Sequence, residues 1–151
     1  MVSRVVLLDA GPLGLVTNPN RSPASLECAR WLQGLLSAGV RVVIPEIADY
    51  EIRRELLRAN KTAGLAQLDA LARVIEYRPI TTSAMRRAAE FWALARQQGQ
   101  PTASDESLDA DAILAGQADT LDAPEAIVAT TNVGHLTRFV AADIWPNITP
   151  E

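Results

Sequence analysis

The chain has 151 residues, a length that suits one domain with a sizeable core. Its net charge is −4, which gives no support from composition to a phosphate-neutralising nucleic-acid binder, and no stretch reaches the about 18 uncharged apolar residues of a membrane span. A single cysteine, Cys28, and a single histidine, His135, exclude a disulfide framework and a cysteine- or histidine-based metal cage, so any bound metal must be held by oxygen, which favours Mg²⁺ or Mn²⁺.

Residues 4–8, with the apolar run Val5-Val6-Leu7-Leu8, read as a buried strand of a parallel sheet. Gly11 and Pro12 open an expected loop over 11–22. Ser22 suits an N-cap and Pro23 a first helical position, for a helix to about Ala38 that Gly39 stops. Arg41–Ile44 is the second strand, closed by Pro45; helices are expected over about 46–59 and from after Lys61 to about Ala72. Val74–Tyr77 reads as a third strand, and Thr82 or Ser83 as the cap of a helix to about 98. Residues 100–107 read as a loop, Asp109–Ala118 as a helix with room to begin a few residues earlier, and Ala126–Ala129 as a fourth strand. A loop with a short helix over 130–139 and an edge strand at 143–145 complete the chain. Alternating strands and helices predict an α/β fold: a three-layer α/β/α sandwich on a mainly parallel sheet of four or five strands. One domain is expected over 1–146, with 147–151 as a C-terminal tail. The N-terminal apolar run is four residues long and ends in Asp9, so no secretory leader is expected, and a cytoplasmic protein without a membrane span is the expectation.

Asp9 is the most informative residue. It stands at the carboxyl end of the first strand, where open α/β sheets place their ligands, although a strand-end Asp can also simply cap the next turn. In the helix after Pro45, Ile44, Ile47, Ala48, Ile52, Leu56 and Ala59 define an apolar arc. Steps of about 100° put Glu46 far from that arc, Asp49 near its edge, and Glu51 and Glu55 within or beside it. A carboxylate beside a buried stripe needs a cation or an ion pair, and Arg54 or Arg58 one turn away could supply the pair. Asp111 shares a face with Leu108, Leu114, Ala115 and Ala118, whereas Asp109 points elsewhere. Either acid could also serve the helix N-terminus, as could Asp105 and Glu106. After the fourth strand, Thr130, Thr131 and Asn132 supply oxygens at the same edge as Asp9; a helix cap is the plain alternative for Asn132. Arg53, Arg54, Arg58, Lys61, Arg86, Arg87 and Arg96 could meet phosphates or be ordinary solvated helix surface.

The order Leu7-Leu8-Asp9, Ile44-Pro45 with Glu51 six residues on, Asp111-x-Ile113-x-Ala115-x-x-Ala118 and Val128-Ala129-Thr130-x-Asn132-x-x-His135 resembles the PIN domain. It looks most like the single-domain VapC-type toxins of bacterial toxin–antitoxin pairs, and the resemblance covers nearly the whole chain. It implies an acidic pocket that binds Mg²⁺ or Mn²⁺ and hydrolyses RNA as an endoribonuclease, with Asp9, Glu51 and Asp111 as catalytic acids. Asp9, Glu51, Asp109, Asp111 and Asn132 are the implied metal ligands, supported by Thr130. Asn132 stands where relatives commonly carry Asp, and Leu136 where an aromatic is common, a space Phe139 can fill. RNA, a cognate antitoxin and a second copy of the chain are the implied partners, with a dimer face expected from Tyr50, Leu57, Leu65 and Leu68. The RNA-contacting residues are not readable, because no base-reading motif is present. Two other readings bear on the same residues. A phosphatase with Asp9 as nucleophile would want a second acid at position 11, which is Gly11. A PIN-like RNA- or protein-binding module with little catalysis fits the neutral Asn132 and the acidic net charge.

Overall fold

The computed structural model describes residues 4–99, 105–134 and 136–150, with the side chains of 105–107 excepted; His135 and residues 100–104 of the expected loop lie outside the described residues. The elements run β1 (Arg4–Leu8), α1 (Ala10–Thr17), α2 (Pro23–Ser37), β2 (Arg41–Pro45), α3 (Glu46–Arg58), α4 (Thr62–Val74), β3 (Glu76–Arg78), α5 (Thr82–Gln97), α6 (Asp105–Asp119), β4 (Glu125–Thr130) and β5 (Ala142–Ile144). Short 3₁₀ turns occupy Leu136–Arg138 and Trp145–Asn147. The strands form one sheet in the order β3-β2-β1-β4-β5, and every pairing is parallel. This is an α/β fold on a five-stranded parallel sheet.

The alternation of β1 divides the core. Val6 and Leu8 face one way, with Leu13, Leu32, Leu35, Ile44, Ala48 and Leu68 from β2 and helices α1 to α4. Val5 and Leu7 face the other way, with Val43, Ile47, Leu114, Ala118 and Val128. Helix α6 covers that second face and is itself covered by α5, through Ala88, Phe91, Ala112 and Ala115. Val5, Val6, Leu7 and Leu8 are all completely buried, each contributing about 1.5–3 kcal/mol. A strand sealed on both faces explains why its sequence is a continuous apolar run rather than an alternating one.

Several expectations need correction. Residues 10–17 are helical rather than a loop: the Asp9 carboxylate caps α1 by accepting from Ala10 N at 2.7 Å, and Pro12 sits in the first turn, where a missing N–H costs nothing. The glycines of that helix are there for close packing. A Cβ at Gly11 would lie 2.5 Å from the Thr131 side chain, and one at Gly14 would lie 3.1 Å from Ile52 Cδ1. Helix α4 continues to Val74, so β3 starts two residues later than its apolar run suggests. Thr81, not Thr82 or Ser83, caps α5, its hydroxyl accepting from Ala84 N at 3.0 Å. Helix α6 takes the earlier of its two expected starts, at Asp105, so residues 105–107 leave the expected loop. In the C-terminal tail Ile148 is 2% exposed, its carbonyl accepts from Trp31 Nε1 at 2.8 Å, and Arg4 donates to Thr149 O. Leu68 is fully buried in the core and so forms no part of an exposed apolar face, and Leu65 is only half-exposed.

Candidate active site

All five strands are parallel, so Asp9, the start of α3 after Pro45, and Thr130 come to one edge of the sheet. Helix α6 leads into β4 and therefore runs against the strand direction, which puts its N-terminal half, with Asp111, at that same carboxyl edge. The register of β1 on β4 pairs Leu8 with Ala129, and Asp9 N donates to Ala129 O at 2.9 Å. The next residue on each strand is then a site residue. Thr130 Oγ1 donates to Asp9 Oδ2 at 2.8 Å, while Asp9 Oδ1 accepts from Ala10 N. Both carboxylate oxygens are thus oriented before any ligand arrives.

Burial raises the Asp9 pKa above the ordinary carboxylate value, against the lowering effect of the Thr130 and Ala10 hydrogen bonds. Glu51, half-buried on α3, is pushed up to about 7, first by burial and then by the charge of Asp9; Asp111 adds to the rise and Arg54 opposes it. Asp111 is raised to about 6 by burial and then by Asp9. Neither Glu51 nor Asp111 is hydrogen-bonded or salt-bridged among the described residues. Burial is the first cause of all three shifts, and the Asp9 charge adds to the rise at Glu51 and Asp111, an arrangement at one edge of the sheet that a cation would relieve.

The donors are all oxygen, which matches a hard divalent cation such as Mg²⁺ or Mn²⁺ in chemistry. Among the described residues, however, no three Asp, Glu, His or Cys side chains are close enough as they stand to enclose a metal ion. Electrostatic coupling operates over longer distances than coordination bonds, so both observations hold: the acids share a region, and direct bonding by all three at about 2.1 Å requires them to draw together.

The side chains of two sequence-predicted ligands stand apart from the three acids, although the Asn132 backbone lies against Thr130: its N donates to Thr130 Oγ1 at 3.2 Å and its O accepts from Thr130 Oγ1 at 3.1 Å. Asp109 is exposed and borders a hollow with Met85, Ala88, Trp92, Ala112 and Ile113 between α5 and α6. Asn132 is exposed, and its Oδ1 accepts from Gly134 N at 3.0 Å in a turn of the 130–134 loop, so it caps that turn rather than a helix. The other acids of α3 serve the scaffold. Glu46, placed far from the apolar arc of its helix, accepts from Ile80 N at 2.7 Å. Asp49 is buried and held by Arg53 and by the Tyr77 hydroxyl, and Arg53 also reaches Asp69 at 2.7 Å. Glu55 is exposed and salt-bridged to Arg58 at 3.0 Å, as its plainer reading holds. Position 11 holds no acid, and a Cβ there would lie 2.5 Å from the exposed Thr131 side chain, which would have to shift.

Of the basic residues, Arg53, Arg58 and Arg87 are engaged in salt bridges. Arg96 stacks over Trp92 at 5.2 Å. Arg54 is exposed, lies over the Tyr50 ring at 5.2 Å and is near enough to Glu51 to lower its pKa. That places a cation beside Glu51. Sequence reasoning did not separate Arg54 from its neighbours, because the distinction rests on which carboxylates the others find.

No family model matches the sequence, and no curated protein matches it. The fold, in contrast, is shared along nearly the whole chain with solved structures. A chain of VapBC2 from Rickettsia felis, crystallised with a DNA fragment from its promoter, superposes with a TM-score of 0.68 at 14% identity, covering 93% of this chain and 98% of that one. FitAcB from Neisseria gonorrhoeae gives 0.68 at 19% identity over 95% and 99%. DNA-bound VapBC from Salmonella typhimurium gives 0.66 at 19% identity over 96% and 99%. At these identities the likeness is one of fold.

Proposed function

We propose that the protein is a metal-dependent endoribonuclease, with Asp9, Glu51 and Asp111 holding Mg²⁺ or Mn²⁺ and Thr130 fixing the Asp9 carboxylate. The observation that carries this reading is the gathering of Asp9, Glu51 and Asp111 at the carboxyl edge of the sheet, partly buried and with Glu51 and Asp111 feeling the Asp9 charge. Structural carboxylates normally find an arginine or a backbone amide, as Asp49, Glu55 and Glu76 do here. A bound divalent cation supplies charge to stabilise the scissile phosphate and lowers the pKa of a water. Thr130 and Ala10 N hold Asp9 in one rotamer, so little ordering is left to be done when a ligand binds. Glu51, with a pKa of about 7, can take or release a proton near neutral pH when the site is free of metal. Arg54 is the candidate contact for an RNA phosphate beside the acids.

The PIN-like motifs, and a fold shared with chains of VapBC complexes, support a place in a toxin–antitoxin pair, with an antitoxin protein as partner. The exposed Tyr50 and Leu57, beside a hollow of about 470 Å³ with Ile80, Met85 and Ile113, support a homodimer through α3 and α5. A second reading, a PIN-like module that binds RNA or protein with little catalysis, is favoured by one observation: Asn132 is neutral and already engaged by Gly134 N. The test is cleavage of a mixed-sequence RNA by the purified full chain. Cleavage with Mg²⁺ or Mn²⁺ that EDTA stops supports the nuclease; RNA binding without cleavage at any metal concentration supports the module.

A further inference from the structure

Gln117 is 1% exposed, a polar side chain in the middle of the molecule, and both ends of its amide are used. Its Oε1 accepts from Ile47 N at 3.1 Å, and its Nε2 donates to Arg78 O at 2.9 Å. The first of these bonds meets a specific need. Helix α3 starts directly after Pro45, which gives no side-chain cap, so the first-turn amides of α3 lack local acceptors. Gln117 supplies one from 70 residues away, and the Glu46 carboxylate fastens the same turn to Ile80 N.

The position of this clamp ties it to the acids. Gln117 lies on α6, the helix that carries Asp111, and Ile47 lies one turn before Glu51 on α3. Helix α6 cannot easily slide on its other side, because a Cβ at Gly116 would lie 2.3 Å from Ala84 O of α5. Asp9 has its own fixture in Thr130, but neither Glu51 nor Asp111 is bonded by a described residue. Their relative position therefore depends on how α3 sits against α6.

We infer that Gln117 is a positioning residue: its amide holds α3 against α6 and so sets the spacing between Glu51 and Asp111. The clamp stands on geometry alone; its consequence for a cation rests on the reading proposed above. A buried amide that merely filled space could be replaced by an apolar side chain of the same length with little local effect. A clamp could not.

The test uses the full chain with Gln117→Met, which keeps length and removes both bonds, and Gln117→Glu, whose protonated carboxyl offers the same acceptor and donor. Ile148→Ala is the control: it opens a cavity near the start of β1, at the opposite edge of the sheet. Hydrogen–deuterium exchange without metal should show the amides of residues 47–52 exchanging about tenfold faster in Gln117→Met, with β1 and β4 unchanged. Gln117→Glu at pH 5.5 should stay within about twofold of the parent, and Ile148→Ala should melt earlier without faster exchange in α3. Titration with Mn²⁺ should weaken about tenfold in Gln117→Met and not in Ile148→Ala. Parent-like exchange in Gln117→Met, or equal acceleration by Ile148→Ala, overturns the clamp. Unchanged Mn²⁺ affinity with faster exchange overturns the positioning role. A parent that binds no Mn²⁺ sinks the cation reading instead, and the exchange comparison still decides the clamp. Should Gln117→Met fail to fold, Gln117→Asn, too short to span both partners, takes its place with the same expected outcomes.

Discussion

At the scale of single residues, the acids of this chain divide by what surrounds them. Asp49, Glu55 and Glu76 have arginines, and Glu46 has a backbone amide. Glu51 and Asp111 have burial first and then the charge of Asp9. Their raised pKa values have a consequence for stability. The folded state binds protons more tightly than the unfolded chain at these two positions, so their contribution is fully present below about pH 4 and is lost as pH rises through about 6 and 7. Metal-free protein should therefore lose on the order of 2 kcal/mol of unfolding free energy between pH 5 and pH 8, a figure reduced for solvent screening of half-buried groups. Glu51→Gln should remove about half of that loss, measured by urea unfolding at each pH. Stability that climbs over this range in both proteins would contradict the coupling. Asp9 and Thr130 were legible in the sequence because each follows an apolar run on a strand. Asn132 and Asp109 were not separable from them there: the Asn132 bond to Gly134 N and the outward face of Asp109 depend on loop path and helix rotation that spacing alone leaves open.

At the scale of elements, local pattern served well where apolar periodicity was strong and failed where packing overruled propensity. Strands β1, β2 and β4 and helices α2, α3 and α5 follow their apolar patterns and stop signals, Gly39 with φ +79° among them. Helix α1 does not, since Gly11, Pro12 and Gly14 read as a loop. Its formation depends on the Asp9 cap and on contacts with Thr131 and Ile52 that only the assembled fold supplies. The Gln117–Ile47 bond was equally invisible, because nothing local marks a glutamine as the cap of a distant helix. Glycine substitutions measure the same contrast. Gly116→Ala must move α5 away from α6, where a Cβ meets Ala84 O at 2.3 Å, and should cost about 2–3 kcal/mol. Gly34→Ala, in α2 with nothing within 4 Å of the added carbon, should stabilise by about 0.5–1 kcal/mol. Equal effects of the two in thermal unfolding would show that α5 and α6 are not in the close contact described.

At the scale of the molecule, the sheet does two things. Its parallel strands collect Asp9, Glu51 and Asp111 at one edge, and its flanking helices leave an apolar surface around Tyr50, Leu57 and Met85, which are 55%, 58% and 46% exposed. Among the described residues no helix is long and apolar enough to cross a membrane. If the apolar surface joins two copies, light scattering at micromolar concentration should give a mass near twice 16.3 kDa, and Leu57→Glu should return it to the single-chain value. A single-chain mass for the parent would instead leave the face for a different protein partner. The most direct measurement of the proposed activity is RNA cleavage by the parent and by Asp9→Asn under identical Mn²⁺ concentrations, with melting curves for both. Asp9→Asn removes the charge that raises the Glu51 and Asp111 pKa values, and its one amide oxygen can still cap Ala10 N while the acceptor for Thr130 is given up, so the variant should fold and should melt close to the parent without metal. It should lose cleavage by at least about a hundredfold and bind Mn²⁺ more weakly, because one of the charged ligands is gone. An Asp9→Asn protein that cleaves RNA at the parent's rate, with the same metal dependence, would contradict the assignment of the site.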